Sequence, residues 1–118
     1  DTTNKITYQY SLSKIPEGFV ETQRFSNDSV NFIQYENANE NKIFNVAQSV
    51  TENYDISLDN EHGRIEEYMI NDIKINIYIN NSGESYYAFW IKDSYFMSLF
   101  YSGTTTIDEL IEIIKMIQ

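Results

Sequence analysis

From residue 6 to residue 12 apolar and polar positions alternate, with Ile6, Tyr8, Tyr10 and Leu12 set against Thr7, Gln9 and Ser11. That period of two turns one face of a strand inward and predicts a first strand. Pro16-Glu17-Gly18 predicts a turn, because proline fixes φ at one corner and glycine accepts a positive φ at the next. Residues 19–25 and 30–35 read as two strands joined by Ser26-Asn27-Asp28-Ser29, whose side chains can close their own backbone turn. After a polar loop over 37–41, Phe44, Val46, Gln48 and Val50 alternate with Ile43, Asn45, Ala47 and Ser49 and predict a fourth strand.

The pattern blurs between Thr51 and Gly63 and then sharpens. Residues 65–70 and 73–79 flank Asn71-Asp72, a two-residue connection that suits left-handed backbone and a tight hairpin. Ile73, Ile75, Ile77 and Ile79 point one way and Lys74, Asn76 and Tyr78 the other, so a one-residue slip would expose four isoleucines. Asn80-Asn81-Ser82-Gly83 turns the chain into a strand over 86–91, and Lys92-Asp93-Ser94 turns it again into one over 95–101. The period then changes. Ile107, Leu110, Ile111, Ile114 and Ile117, widened by Ile113 and Met116, predict an amphipathic helix. Thr106-Ile107-Asp108-Glu109 is a capping-box pattern, in which the threonine oxygen accepts a free amide and the glutamate reaches back to the cap. The expected fold is α+β: a mainly antiparallel, meandering β-sheet with one C-terminal amphipathic helix packed on one face, forming a single domain over 1–118.

Composition sharpens this picture. With 42% hydrophobic and 15% aromatic residues the chain can build one core, and it is not a disordered segment. Eighteen acidic against eight basic residues give a formal charge of −10, which repels phosphate backbones and anionic membranes, so nucleic acid is set aside as a partner. The absence of cysteine removes disulfides, thiol nucleophiles and cysteine metal sites while leaving the compartment open. No segment approaches the roughly 18 continuous apolar residues of a membrane span, and no basic-then-apolar signal opens the chain. The expectation is a cytoplasmic protein, or a piece from which an anchor or signal has been cut, with any membrane contact running only through a segment absent from this chain.

Candidate chemistry is sparse. His62, within Asp59-Asn60-Glu61-His62-Gly63, lacks the three ligands at family-typical spacing that zinc needs and reads as a polar turn, and Ser57 and Leu58 break the register of a calcium loop. No metal or cofactor is expected. Glu66 and Glu67 are adjacent on a strand and face opposite ways, while Glu109 and Glu112 fall on the solvent side of the helix, so neither pair meets the geometry of a general acid and base. Ser11, Ser29 and Ser49 lack a nucleophile-elbow context, and no catalytic residue is assigned. The remaining candidate is aromatic. Alternation puts Tyr87, Phe89 and Ile91 on one face of a hairpin and Tyr86, Ala88 and Trp90 on the other. If the sheet curls, Tyr78, Tyr86, Trp90 and Phe100 are the candidate ligand-binding residues, lining a concavity for a small apolar ligand.

The run Tyr10-Ser-Leu-Ser-Lys-Ile-Pro16-Glu17-Gly18-Phe19, then residues 44–48, then Ala88-Phe-Trp90-Ile-Lys-Asp-Ser-Tyr95, then Asp108-Glu-Leu-Ile-Glu-Ile-Ile, resembles the bacterial domain-of-unknown-function family numbered 4367. The resemblance spans nearly the whole chain, and its specificity lies in the order of the motifs. Where that family often has glycine before the Ile73 strand, this chain has Asn71-Asp72. The resemblance implies an extracytoplasmic domain of a Gram-positive bacterium, on the cell surface or secreted, of the kind found in anti-sigma-factor-like or sporulation-linked proteins. It carries no catalytic residues. The expected role is that of a non-enzymatic domain that binds or senses a protein or small ligand outside the membrane.

Overall fold

The computed structural model describes residues 4–51 and 61–118. Seven strands form one sheet among the described residues: β1 (Val20–Ser26), β2 (Val30–Asn37), β3 (Lys42–Val50), β4 (Gly63–Ile70), β5 (Ile73–Asn80), β6 (Ser85–Lys92) and β7 (Tyr95–Ser102). One helix, α1 (Ile107–Lys115), follows them. The order across the sheet is β1-β2-β3-β7-β6-β5-β4, and every neighbouring pair is antiparallel. Two meanders, β1-β2-β3 and β4-β5-β6-β7, are thus joined through the β3–β7 pair. The expected antiparallel α+β architecture is the one observed. Much of the blurred stretch, residues 52–60, lies outside the described residues.

The turns follow the residues that demand them. Asn71 and Asp72 (φ 50 and 68) close β4 onto β5, and Asp93 and Ser94 (φ 51 and 68) close β6 onto β7. Both are two-residue connections with positive φ at both positions, the geometry whose twist matches that of the flanking strands. The isoleucine register holds: Ile75, Ile77 and Ile79 are buried, and Ile73 packs against the core's edge.

Cross-strand register arranges the core in rows on one face. One row runs Tyr35–Phe44–Tyr101–Tyr86–Ile79 and the next Ile33–Val46–Leu99–Ala88–Ile77. A third runs Asn31–Gln48–Met97–Trp90. Leu110, Ile113, Ile114 and Ile117 cover this face. Helix α1 starts as the capping pattern predicts in one respect, since Thr106 Oγ1 accepts from the Glu109 amide at 3.1 Å. The reciprocal half differs: the Glu109 carboxylate accepts from the Thr105 hydroxyl at 2.8 Å. Thr106→Ala is expected to cost about 1 kcal/mol, measurable as a shift in the urea midpoint with unchanged slope.

The first strand expected from the sequence is not a strand. Residues 6–12 lie across the core face with Ile6 and Tyr10 buried and Tyr8 exposed. The Ile6 amide donates to the Asp28 carbonyl at 2.7 Å, but between Thr7 and Tyr10 the backbone's partners are side chains. Gln48, itself buried, accepts from the Tyr10 amide at 3.0 Å and donates to the Tyr8 carbonyl at 2.7 Å. Asn31 donates to the Tyr10 carbonyl at 2.9 Å. Further on, Ser11 and Gln118 exchange backbone bonds at 3.1 and 2.9 Å around a single bridge between Leu12 and Ile117. Two amide side chains therefore stand where a neighbouring strand would be, and the alternation of residues 6–12 reports a strap over the sheet.

At the far edge, Glu66 of β4 accepts from the Tyr68 hydroxyl and from Arg64 Nε at 2.9 Å. The Tyr68 bond, and after it the guanidinium, hold the Glu66 carboxyl below the usual glutamate range. In Tyr68→Phe the Glu66 midpoint, followed by carboxyl NMR, is expected to rise. Folding depresses this pKa, so the associated stabilisation is present above the unfolded value and is lost as pH falls through the folded one.

Candidate functional site

The four aromatic residues picked out by the sequence do not converge. Tyr86 and Trp90, 8% and 4% exposed, lie in the hydrophobic core on one face of the sheet. Tyr86 donates to the carbonyls of Gly83 and Thr105 at 2.9 and 3.2 Å, which ties β6 to the approach to α1. Tyr78 and Phe100 flank Tyr87 in a cross-strand row on the opposite face, where Tyr78 is half-buried and Phe100 is 40% exposed. The sheet itself separates the two pairs. Tyr78 leans over β4: a Cβ on Gly63 would come within 2.4 Å of its ring, so the glycine makes room for the aromatic.

His62 lies at the entry to β4, and its carbonyl accepts from the Asn81 amide at 2.7 Å, so its backbone helps to close the polar turn around residues 80–83. Asp59 and Asn60 are outside the described residues. Among the described residues no three histidine, aspartate or glutamate side chains are close enough to share a metal ion.

A concavity forms instead beside the helix. Phe19 packs edge-on against Phe44 and Tyr101, with centroids 5.0 and 6.4 Å apart, and together with Tyr101, Ile113 and Met116 it gives an apolar floor. Glu17 and Glu40 border it on one side, and Asp108, Glu109 and Glu112 on the other. Its volume is about 460 Å³, within the usual range for ligand pockets.

Two turns hold this groove in shape. Phe19 donates to the Pro16 carbonyl at 3.1 Å, and Gly18 takes φ +87. A Cβ on Gly18 would stand 2.6 Å from Asn37 Nδ2. Asn37 is buried, and its Oδ1 accepts from the Glu40 amide at 3.1 Å, closing the β2–β3 connection. One asparagine thus locks the 16–19 turn against the 37–41 turn, and both become walls. Gly18→Ala combines a left-handed backbone with that clash and is expected to cost roughly 1–3 kcal/mol. The Ile113 and Met116 methyl resonances should move in the same variant. Burial raises the Tyr101 pKa above the ordinary phenol value.

A more open hollow of about 550 Å³ lies near Tyr8, Tyr10 and Tyr95. Its polar groups are engaged with one another. The Tyr10 hydroxyl donates to Asp93, Lys92 sits 5.1 Å from the Tyr10 ring centroid, and the Thr7 amide donates to the Tyr95 hydroxyl at 3.0 Å. Burial, and then Asp93, push the Tyr10 pKa well above the phenol range, so it stays a donor. These contacts anchor the strap.

Nothing in the sequence brings Pro16 and Glu17 beside Glu112. The trace it leaves is that the polar side of the helix is acidic at Asp108, Glu109 and Glu112 before its one basic residue, Lys115. Together the fold and this surface define a small antiparallel α+β domain that presents an acid-rimmed, apolar-floored groove beside its helix. The chain belongs to the domain-of-unknown-function family DUF4367, whose family model matches residues 9–117. No curated protein and no solved structure matches it significantly. Among the described residues no helix is long and apolar enough to cross a membrane.

Proposed function

We propose that this is a non-enzymatic binding or sensing domain of a membrane-anchored or secreted bacterial protein, and that the groove beside α1 is its ligand surface. The extracytoplasmic placement rests on the family resemblance. The groove is the observation that supports binding, because it joins a preformed apolar floor to polar groups at its rim, as ligand sites do. Of the rim carboxylates, Glu17, Asp108 and Glu112 serve as the recognition groups, since Glu40 pairs with Lys42 at 3.0 Å and Glu109 is bonded to Thr105.

The test is methyl NMR of isoleucine and methionine during titration with N-phenyl-1-naphthylamine, a neutral apolar dye. Shifts at Ile113 and Met116, and reduced dye binding in Met116→Gln, are expected. Shifts confined to Ile65, Met69 and Ile91, on other parts of the sheet, would move the ligand surface away from the helix.

A further inference from the structure

Taking the groove as the binding surface, we infer that its occupant is a cationic, amphipathic peptide segment of a partner protein, with apolar side chains on the floor and lysine or arginine at the rim. This rests on the reading above and adds the chemistry of the partner. The rim carries five carboxylates, Glu17, Glu40, Asp108, Glu109 and Glu112, against one ammonium, Lys42, which Glu40 already holds at 3.0 Å. Lys115 approaches Glu112 only to 3.9 Å and leaves it largely available.

The helix gains little by itself from this arrangement. Asp108 and Glu109 suit its N-terminus, but Asp108 and Glu112 stand one turn apart as like charges, a spacing that disfavours an isolated helix. Cations laid along the groove relieve that repulsion. The carboxylates do not converge on a point, since no three of the described acidic side chains can hold one ion. Charge spread in this way matches several cations on one chain better than a single metal ion. Beneath it, Phe19, Tyr101, Ile113 and Met116 supply an apolar floor, and methionine adapts to differing side chains. A volume of about 460 Å³ takes a few side chains of an extended or helical segment, not a folded domain.

The experiment uses three synthetic 14-residue probes followed by methyl NMR and calorimetry: a lysine–leucine peptide patterned to be amphipathic, its glutamate–leucine counterpart, and a lysine–serine peptide of equal charge. The lysine–leucine peptide is expected to shift Ile113 and Met116, to bind more weakly as salt rises, and to outcompete both others. Asp108→Asn with Glu112→Gln should weaken it roughly five- to tenfold. The pair Glu67→Gln with Asp72→Asn, which removes the same charge from residues that do not line the groove, should leave affinity within about twofold. Equal weakening by both pairs, or equal binding of the lysine and glutamate peptides, would overturn the cationic-partner assignment. If the neutral dye still shifts the groove methyls in that case, the groove remains a binding surface. If neither dye nor peptide shifts them, the groove reading itself fails.

Discussion

Replacing Gln48 with leucine is expected to destabilise the domain by roughly 3–5 kcal/mol, because buried backbone groups left without partners carry their full desolvation cost. Gln48 is 1% exposed, and its single amide serves the Tyr10 N–H, the Tyr8 carbonyl and, at 3.3 Å, the Asn31 amide. Leucine fills a similar volume but offers neither donor nor acceptor. The loss should appear as a lowered urea midpoint and as faster hydrogen exchange at the Tyr10 amide. A cost below about 1 kcal/mol with Tyr10 still protected would show that the strap is held by Ile6, Tyr10 and the Leu12–Ile117 bridge rather than by the amide ladder.

Phe44→Ala is the second large effect, expected at about 3–5 kcal/mol. Phe44 is fully buried and stacks on Tyr35 at 5.0 Å and on Tyr101 at 5.8 Å, with Phe19 edge-on at 5.0 Å. Three rings lose their common neighbour when it is truncated, and the row through the centre of the sheet loses its filler. Phe44→Leu should recover most of the stability. Because Phe19 is also part of the groove floor, the alanine variant should also perturb Met116 and Ile113 in the folded protein. A small cost with unchanged methyl spectra would mean that the surrounding rings collapse into the space, against the packing described.

The strands were largely legible because their residues are locally consistent. The isoleucines at 73, 75, 77 and 79 fix one face, and Asn71-Asp72 and Asp93-Ser94 fix the tight turns beside it. The helix was legible for the same reason, from its stripe and Thr106. Residues 6–12 misled because alternation records which side chains face inward, not what the backbone bonds to. Here the partners are the side chains of Gln48 and Asn31, distant in sequence. The proposed aromatic site mixed two faces. Period two separates Tyr86 and Trp90 from Tyr87, but only the cross-strand register shows that Tyr78 and Phe100 side with Tyr87. The groove was invisible because Gly18 and Asn37 meet only in three dimensions.

The β3–β7 pair gives the chain a schedule. During synthesis the meander of β1, β2 and β3 can form early, and β4, β5 and β6 can pair among themselves. The two halves cannot share a sheet until β7, the last strand in the sequence, emerges and is inserted between β3 and β6. Until then the inward edge of β3 offers unpaired backbone to any strand nearby. The nascent domain thus waits on residues 95–102, and a ribosome paused before them would hold a chain whose halves have no strand to join them.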